Sequence, residues 1–184
     1  MKRRATFLGA AVLALIIAAE YAAATQVLYR TPQQLGVDSE LVVMGKVQSV
    51  ESYWNESKTK ILTETRVTVS DAYKGGTRGV VTVMQLGGVV DNVRMTVHGA
   101  LQWDVGEEVV LFLEPFQTGT YQVSGFFQGR FKVERDPRTG DAYVVRPASS
   151  DVQLVGAPDG VDRDASRTKQ QSVDAFINDA LGRR

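Results

Sequence analysis

The sequence predicts a mainly β protein. The expected fold is a small closed or partly open OB-like Greek-key β-barrel, with a short N-terminal helix and a C-terminal amphipathic helix. Three observations indicate this fold: apolar and polar residues alternate along several short segments, glycine clusters separate those segments, and helical spacing is confined to two short stretches. The longest alternating segments, 61–73 and 121–135, also fit a lipocalin-like up-and-down barrel or a β-sandwich, which remain the alternatives.

The first 24 residues have the pattern of an export signal. Met1–Arg4 is basic, the next fifteen residues ("ATFLGAAVLALIIAA") are apolar or small, and Ala22-Ala23-Ala24 offers the small residues that a signal peptidase requires. This apolar run is shorter than the roughly 20 residues that cross a bilayer. We therefore expect a signal peptide at 1–24, cleavage after Ala24, and an exported protein, periplasmic or extracellular, without a stable membrane span. An uncleaved N-terminal anchor is the alternative.

The composition excludes several kinds of site. The chain of 184 residues has no cysteine, which rules out disulfides, thiolate metal sites, a cysteine nucleophile and a lipid anchor on cysteine. Lysine plus arginine and aspartate plus glutamate both number 21. Nucleic-acid binding draws on an excess of basic residues, so this balance predicts no nucleic-acid partner. The part that follows the leader has the length of one domain with a tail.

The N-terminal segment, 25–37, is expected to contain a short helix. Thr31 can cap this helix, Pro32 suits its first position, and Gln34 completes a capping box. The barrel domain is predicted at 38–146. Its segment "KILTETRVTVSDAY" has the alternation of a half-buried strand, with one face formed by Ile61, Thr63, Thr65, Val67 and Val69.

Two later segments shape the predicted barrel. "GEEVVLFLEP" is apolar on both faces from Val109 to Leu113, which is typical of a central strand covered on both sides. "TYQVSGFFQGRFKVER" is expected to be one long strand, bent at the inward-facing Gly125 and Gly129. Its inner face is predicted to consist of Tyr121, Val123, Phe127, Phe131 and Val133.

The last part of the chain divides into two. Residues 147–171 lose the alternation and are small and polar, which predicts a mobile linker or surface wrap. Residues 172–182 regain helical spacing, with Ser172 as cap and Gly182 as terminator. The apolar stripe consists of Val173, Phe176, Ile177, Ala180 and Leu181. An isolated helix of this length is marginal in water, so we expect it to pack on the barrel.

Residue sets for catalysis or metal binding are scarce. His98 is the only histidine, and in the alternating segment it shares the polar face with Arg94 and Thr96, which predicts a solvated strand residue rather than a base. The chain has no G-x-S-x-G sequence, and the glycine pair at 87–88 lacks the lysine of a phosphate loop. We therefore expect no catalytic residues, no metal, no cofactor and no enzymatic activity.

Four aromatic residues are the candidate partner-binding residues: Tyr53, Trp54, Trp103 and Phe126. Tyr53 and Trp54 fall in the predicted polar loop "ESYWNESKTK", Trp103 precedes a glycine turn, and Phe126 has the outward phase of its predicted strand. Exposed aromatic rings are common anchors of protein interfaces. For Phe126 the structural alternative is packing beneath Phe176 and Ile177 of the C-terminal helix.

Four segments carry a resemblance to known proteins: "LVVMGKVQSVESYW", "TETRVTVSDAYKGG", "VGEEVVLFLEP" and "GFFQGRFKV". Together they are similar to a group of small exported bacterial proteins, and their pattern resembles the netrin-like domain of tissue inhibitors of metalloproteinases, an OB-type barrel. The resemblance covers about 38–146 and implies a fold rather than an activity. The animal inhibitors act through an N-terminal Cys-x-Cys, and nothing after Ala24 matches it, so no inhibitory residue is carried over.

The sequence therefore predicts an exported, non-catalytic protein-binding module. Its expected partner is another exported protein, an exported protease being one option. The alternative is a carrier of a small apolar ligand that uses the barrel mouth. Large inward residues such as Tyr121, Phe127 and Phe131 argue against the carrier because they would fill a small barrel. An apolar pocket above about 300 Å³ would favour it.

Overall fold

The computed structural model describes residues 25–146, 152–158 and 171–183, so the predicted signal peptide at 1–24 lies outside the described residues. The described chain is mainly β with two short helices, as predicted. Its strands are β1 (Thr25–Leu28), β2 (Leu41–Trp54), β3 (Ile61–Lys74), β4 (Val80–Leu86), β5 (Gly88–Val90), β6 (Val93–Met95), β7 (Glu108–Gln117), β8 (Thr120–Val123), β9 (Arg130–Arg135), β10 (Ala142–Val145), β11 (Val152–Val155) and β12 (Gln171–Ser172). Its helices are α1 (Pro32–Asp38) and α2 (Val173–Ala180).

The largest sheet curls into a barrel-like ring. β2 pairs with β3 and β7, β3 pairs with β4, and β8 bridges β4 and β7, which gives the ring order β2–β3–β4–β8–β7. The pairs are antiparallel except for β4 and β8, which are parallel and in register only at Val83 and Tyr121. The contact between β4 and β8 is therefore the weakest seam of the ring.

β7 is the central strand that its sequence predicts. Val109 and Leu111 face the barrel interior, Val110 and Phe112 face the opposite side, and all four are fully buried. On the side away from β2, the first half of β7 pairs with β9 and the second half pairs with β8. β9, β10 and β12 extend the sheet from there. One face of β7 packs in the barrel core and the other packs against α2, so β7 is covered on both faces.

The β2–β3 hairpin confirms the alternation expected from its sequence. The predicted inner face is buried at Ile61 and Val67 and partly buried at Val69. β2 is longer than predicted, because it continues through Tyr53 and Trp54, for which the sequence predicts a loop. The connection spans only 55–60, where the Asn55 side-chain oxygen accepts hydrogen bonds from two backbone N–H groups, those of Thr59 and Lys60.

The prediction of one long strand over 121–135 is wrong. β8 ends at Val123, residues 124–129 form a turn, and β9 begins at Arg130. The turn reverses the side of the sheet on which the odd-numbered side chains lie. Phe127 packs inside the barrel, whereas Phe131 packs on the outer side of β7. The inward glycines of the prediction are turn residues, and Gly125 has a positive φ of 67°.

The alternating segment 89–98 does not form one continuous strand. β5 and β6 form a hairpin with strands of three residues each, turned at Asp91. Val89 and Val93 have the same phase in the alternation, and they are 44% and 48% exposed. The strands are too short to align a continuous face, and His98 lies in an exposed turn after them.

Both helices form as their capping residues predict. At α1 the Thr31 side chain accepts from the Gln34 N–H while the Gln34 side chain accepts from the Thr31 N–H. At α2 the Ser172 side chain accepts from the Ala175 N–H, and four members of the apolar stripe are buried: Val173, Phe176, Ile177 and Ala180.

α2 packs on the outer side of β7 and β9. The Phe176 ring lies 6.0 Å from the Phe112 ring and 4.5 Å from the Phe131 ring. α1 packs against α2 at Gly36, where a Cβ atom would lie only 2.1 Å from the carbonyl oxygen of Ala180. The expected packing of the C-terminal helix is therefore present, and Gly36 is what lets the two helices approach.

Part of the predicted linker is a strand. Within 147–171 the structure describes 152–158 and Gln171, the first residue of β12, and over 152–155 β11 pairs in parallel with β1. Val152 and Leu154 are buried in the barrel core. The segment is too short to stand out by alternation, and pairing with β1 stabilises it. Among the residues described, no helix has the length and apolarity needed to span a membrane.

Candidate functional site

A groove of about 400 Å³ opens at the seam between β4 and β8. The two parallel strands are in register only at Val83 and Tyr121, and beyond that point the chain on both sides lines the groove. Met84 and Leu86 line it from β4, and the opposite side is lined by Gln122, Val123, Gly125 and Phe126. The groove is thus a direct consequence of the incomplete closure of the ring.

The groove is largely apolar and open to solvent. Leu86 is 39% exposed, Phe116 is 37% exposed and Phe126 is 54% exposed. Single exposed apolar residues are normal on protein surfaces, but several that line one concavity indicate a binding site. The charged residues of the lining are Arg30, which is paired with Asp38 at 3.1 Å, and Glu114, which accepts a hydrogen bond from Gln122 at 2.7 Å.

Phe126 has an unfavourable backbone conformation. Its φ is +68°, in the left-handed region that suits glycine, and it follows Gly125, whose φ is also positive. For a residue with a Cβ atom this conformation costs roughly 1–2 kcal/mol. Such residues persist where the surrounding structure holds them, and they concentrate at functional sites.

Buried polar groups hold the 124–129 turn in place. The Gln128 side chain is buried; its oxygen accepts from the Arg30 N–H at 2.8 Å, and its nitrogen donates to the carbonyl oxygens of Leu28 at 3.0 Å and Gly125 at 3.2 Å. The buried hydroxyls of Ser124 and Ser39 lie 2.8 Å apart. These bonds fix the turn to β1 and to the residue that follows α1, so Phe126 is presented by a rigid segment.

Tyr53 belongs to the same surface. It is 40% exposed on the outer face of β2, and its hydroxyl contacts the sulfur of Met84 at 3.9 Å. Cross-strand register places Tyr53 beside Leu62 and Leu62 beside Leu86. These three residues, which we call the outer strip, lead from β2 to the groove. Burial, followed by the charge and hydrogen bond of the Glu64 carboxylate, raises the pKa of Tyr53 above its ordinary value, so its hydroxyl remains neutral.

The two tryptophans lie elsewhere. Trp54 is partly buried on the opposite face of β2, across from Ile61. Trp103 packs on the barrel core and donates from its ring nitrogen to the Gln85 side-chain oxygen at 3.2 Å. The guanidinium of Arg130 covers the Trp103 ring at 5.0 Å. Of the four predicted residues, the structure therefore brings Tyr53 and Phe126 to one surface and gives Trp103 a role in the fold.

The packing considered for Phe126 against the C-terminal helix is wrong. Phe176 contacts Phe112 and Phe131 instead, while Phe126 is more than half exposed. The prediction assumed a continuous strand, and the phase reversal in the 124–129 turn moves Phe126 away from α2. Met84, Leu86 and Phe116 also line the groove and were missed. Their only signal in the sequence is an apolar side chain at an outward position, which does not distinguish a site from ordinary surface.

The barrel mouth offers a second, smaller cavity of about 260 Å³ beneath β5 and β6. Hydroxyl and amide groups of Ser52, Thr63 and Gln85 line it, and the Ser52 and Thr63 hydroxyls are bonded to each other at 2.8 Å. Phe127 fills the barrel interior, as expected, but Phe131 does not, since it packs outside. No cluster of three or more metal-ligating side chains occurs within the described ranges.

No protein-family model matches the chain, and a search of curated proteins returned no significant match.

Proposed function

We propose that this chain is an exported, non-catalytic protein-binding module, and that the groove receives an apolar segment of another exported protein. One observation carries the proposal: Phe126 is held in a strained conformation by a rigid turn and yet remains 54% exposed, beside two other exposed apolar residues of the groove, Leu86 and Phe116. A fold alone has no need of a ring in that position, because glycine would avoid the strain.

The proposal includes an OB-like Greek-key barrel. In chain order the ring strands are β2, β3, β4, β7 and β8, and the ring joins the first to the fourth and the third to the fifth. Such non-sequential neighbours, in a small ring of five strands with one incomplete seam, support a partly open Greek-key barrel over an up-and-down one. The netrin-like resemblance and export through the leader at 1–24 belong to the same proposal.

The binding energy available to the groove is moderate. Full burial of one large apolar side chain contributes about 1.5–3 kcal/mol, so covering the exposed halves of three such residues contributes roughly 3 kcal/mol. Because the 124–129 turn is already ordered, binding loses little conformational freedom there. We therefore expect Phe126 to be the residue whose removal weakens binding most.

The test compares two variants in pull-downs from the exported protein fraction. Phe126→Gly removes the ring and relieves the strain, whereas Val105→Ala removes another exposed apolar side chain outside the groove. A partner recovered by the wild type and by Val105→Ala, but lost with Phe126→Gly, supports the proposal. Recovery that Phe126→Gly leaves unchanged would contradict it.

A second function, a carrier of a small apolar ligand, is favoured by the groove volume of about 400 Å³, within the range of roughly 300–1,000 Å³ of ligand pockets. The site differs from the predicted barrel mouth, because the cavity there is smaller and more polar than the groove. Saturable, one-to-one binding of the neutral dye N-phenyl-1-naphthylamine, abolished by Phe126→Gly, would support a carrier. Dye binding without saturation would exclude it.

A further inference from the structure

The outer face beside the groove places two glutamates directly opposite each other. Glu51 on β2 and Glu64 on β3 are cross-strand partners, and Met84 of the groove is the next residue in the same row. Like charges in directly opposite positions destabilise a sheet. Neither carboxylate forms an ion pair with any described residue.

Negative charge predominates around the groove and the outer strip. Glu114 lines the groove itself, and Glu64 lies beside Tyr53. Arg30, at the edge of the groove, is already paired with Asp38. Arg66 lies two residues further along β3 than Glu64, in register with Ser49 and Thr82. The surface therefore combines an apolar concavity with uncompensated carboxylates on one side of it.

Tyr53 adds a second feature that favours a cation. Its ring is exposed next to Glu64, and the face of an aromatic ring attracts a guanidinium or ammonium group. A planar guanidinium can lie against the ring while it donates hydrogen bonds to a carboxylate. Glu51, Glu64 and Tyr53 together complement a basic side chain, and no described basic side chain occupies that position.

We infer that the segment bound in the groove carries an arginine or lysine close to its apolar anchor, with the anchor against Phe126 and the basic side chain between Glu51 and Glu64 beside Tyr53. This inference rests on the proposed function. Neighbouring strands lie about 4.8 Å apart. The glutamate pair is centred between β2 and β3, and the groove lies beyond β4, so the two are separated by roughly 12 Å. An extended chain advances about 3.3 Å per residue, which separates the basic residue from the anchor by about four positions.

The experiment uses three labelled synthetic peptides as probes. Each has the sequence Ser-X-Ser-Val-Leu-Phe-Val-Ser, in which X, four positions before the Phe, is Arg, Ser or Glu. Fluorescence anisotropy measures their Kd for the wild type, for the double variant Glu51→Gln/Glu64→Gln, for Phe126→Gly and for Glu134→Gln. Glu134 is the control because it is an exposed glutamate on β9, opposite Tyr143 of β10, and does not line the groove.

The wild type and Glu134→Gln are expected to bind the Arg peptide about tenfold more tightly than the Glu peptide, and less so at high salt. Glu51→Gln/Glu64→Gln should bring the three Kd values within about twofold of one another. Equal Kd values for the wild type, a preference that survives in the double variant, or no binding of any peptide would each overturn the inference.

The proposed function fails separately from the inference. If Phe126→Gly binds all three peptides as tightly as the wild type does, the groove is not the site. If the peptides bind regardless of X and Phe126→Gly abolishes binding, the groove is the site and only the basic residue is wrong.

Discussion

The strain at Phe126 can be measured by comparing two substitutions at the same position. Phe126→Ala and Phe126→Gly remove the same ring, so the packing and exposure of the ring cancel in the comparison. What differs is the φ of +68°, which alanine tolerates poorly and glycine adopts readily.

The expected difference follows from two opposing terms. Relief of the left-handed conformation favours Phe126→Gly by roughly 1–2 kcal/mol. The greater freedom of glycine in the unfolded chain opposes this by about 0.5–1 kcal/mol. With the middle of each range, Phe126→Gly should therefore be more stable than Phe126→Ala by about 0.75 kcal/mol, which corresponds to about 2–3 °C in Tm for a domain of this size.

Urea unfolding followed by tryptophan fluorescence, supported by thermal melts, measures this difference directly. Equal m-values in the two variants would show that the comparison concerns stability alone. If Phe126→Ala were as stable as Phe126→Gly, the turn would not hold residue 126 in a strained conformation, and strain would give no reason to assign the Phe126 ring to binding.

Three further predictions concern the fold around the site. Gly36→Ala should destabilise the protein by about 1–3 kcal/mol in urea unfolding, because its Cβ would lie 2.1 Å from the Ala180 oxygen. The control Gly76→Ala has open space at its Cβ and should change stability by less than about 0.5 kcal/mol. Glu107→Gln should lower the free energy of unfolding by up to about 3–5 kcal/mol, because it leaves the buried Arg130 guanidinium without its charged partner. Glu108→Gln, in the more exposed pair with Arg135, should lower it by at most about 1 kcal/mol. Similar losses in the two variants would contradict this. Burial, followed by the charges of Asp71 and Asp174, raises the pKa of Tyr73 above 10.0. The contribution of Tyr73 to stability is therefore constant below pH 10. It falls as the pH rises further, because the unfolded chain then releases the tyrosine proton more readily than the folded chain does. Urea midpoints from pH 9 to 11.5 should fall less steeply in Tyr73→Phe than in the wild type, and identical slopes would refute the assignment.

The elements that the sequence predicted correctly are those whose pattern depends on local geometry. β3 alternates because one face is buried, β7 is apolar throughout because both faces are covered, and α2 follows from a capping serine and a stripe with helical spacing. Each of these signals lies within about a dozen neighbouring residues. The prediction failed over 121–135 because the spacing of two continues through the turn, at Gly125, Phe127, Gly129 and Phe131. Alternation alone cannot distinguish such a turn from a strand.

The groove could not be predicted for a different reason. It exists because β4 and β8, which are separated by more than thirty residues of chain, pair at one position and then diverge. No local pattern encodes the extent of such a pairing. Tyr53 and Phe126 could be chosen from the sequence as exposed aromatic residues, but their position on one surface depends on the order of strands in the ring.

The 124–129 turn couples this surface to the barrel core. Phe127 is buried in the barrel and adjoins Phe126, and the amide of Gln128 ties the same turn to Arg30 and Leu28. A partner that contacts Phe126 therefore meets a ring whose backbone is fixed by the core, so the ordering cost of binding is small. The same coupling limits how the site can vary: a change that loosens the turn disturbs the packing of Phe127, whereas a change to the ring of Phe126 alone leaves the core intact. Variation in specificity is therefore expected at the ring and at Glu51 and Glu64, and not at Gln128 or Ser124.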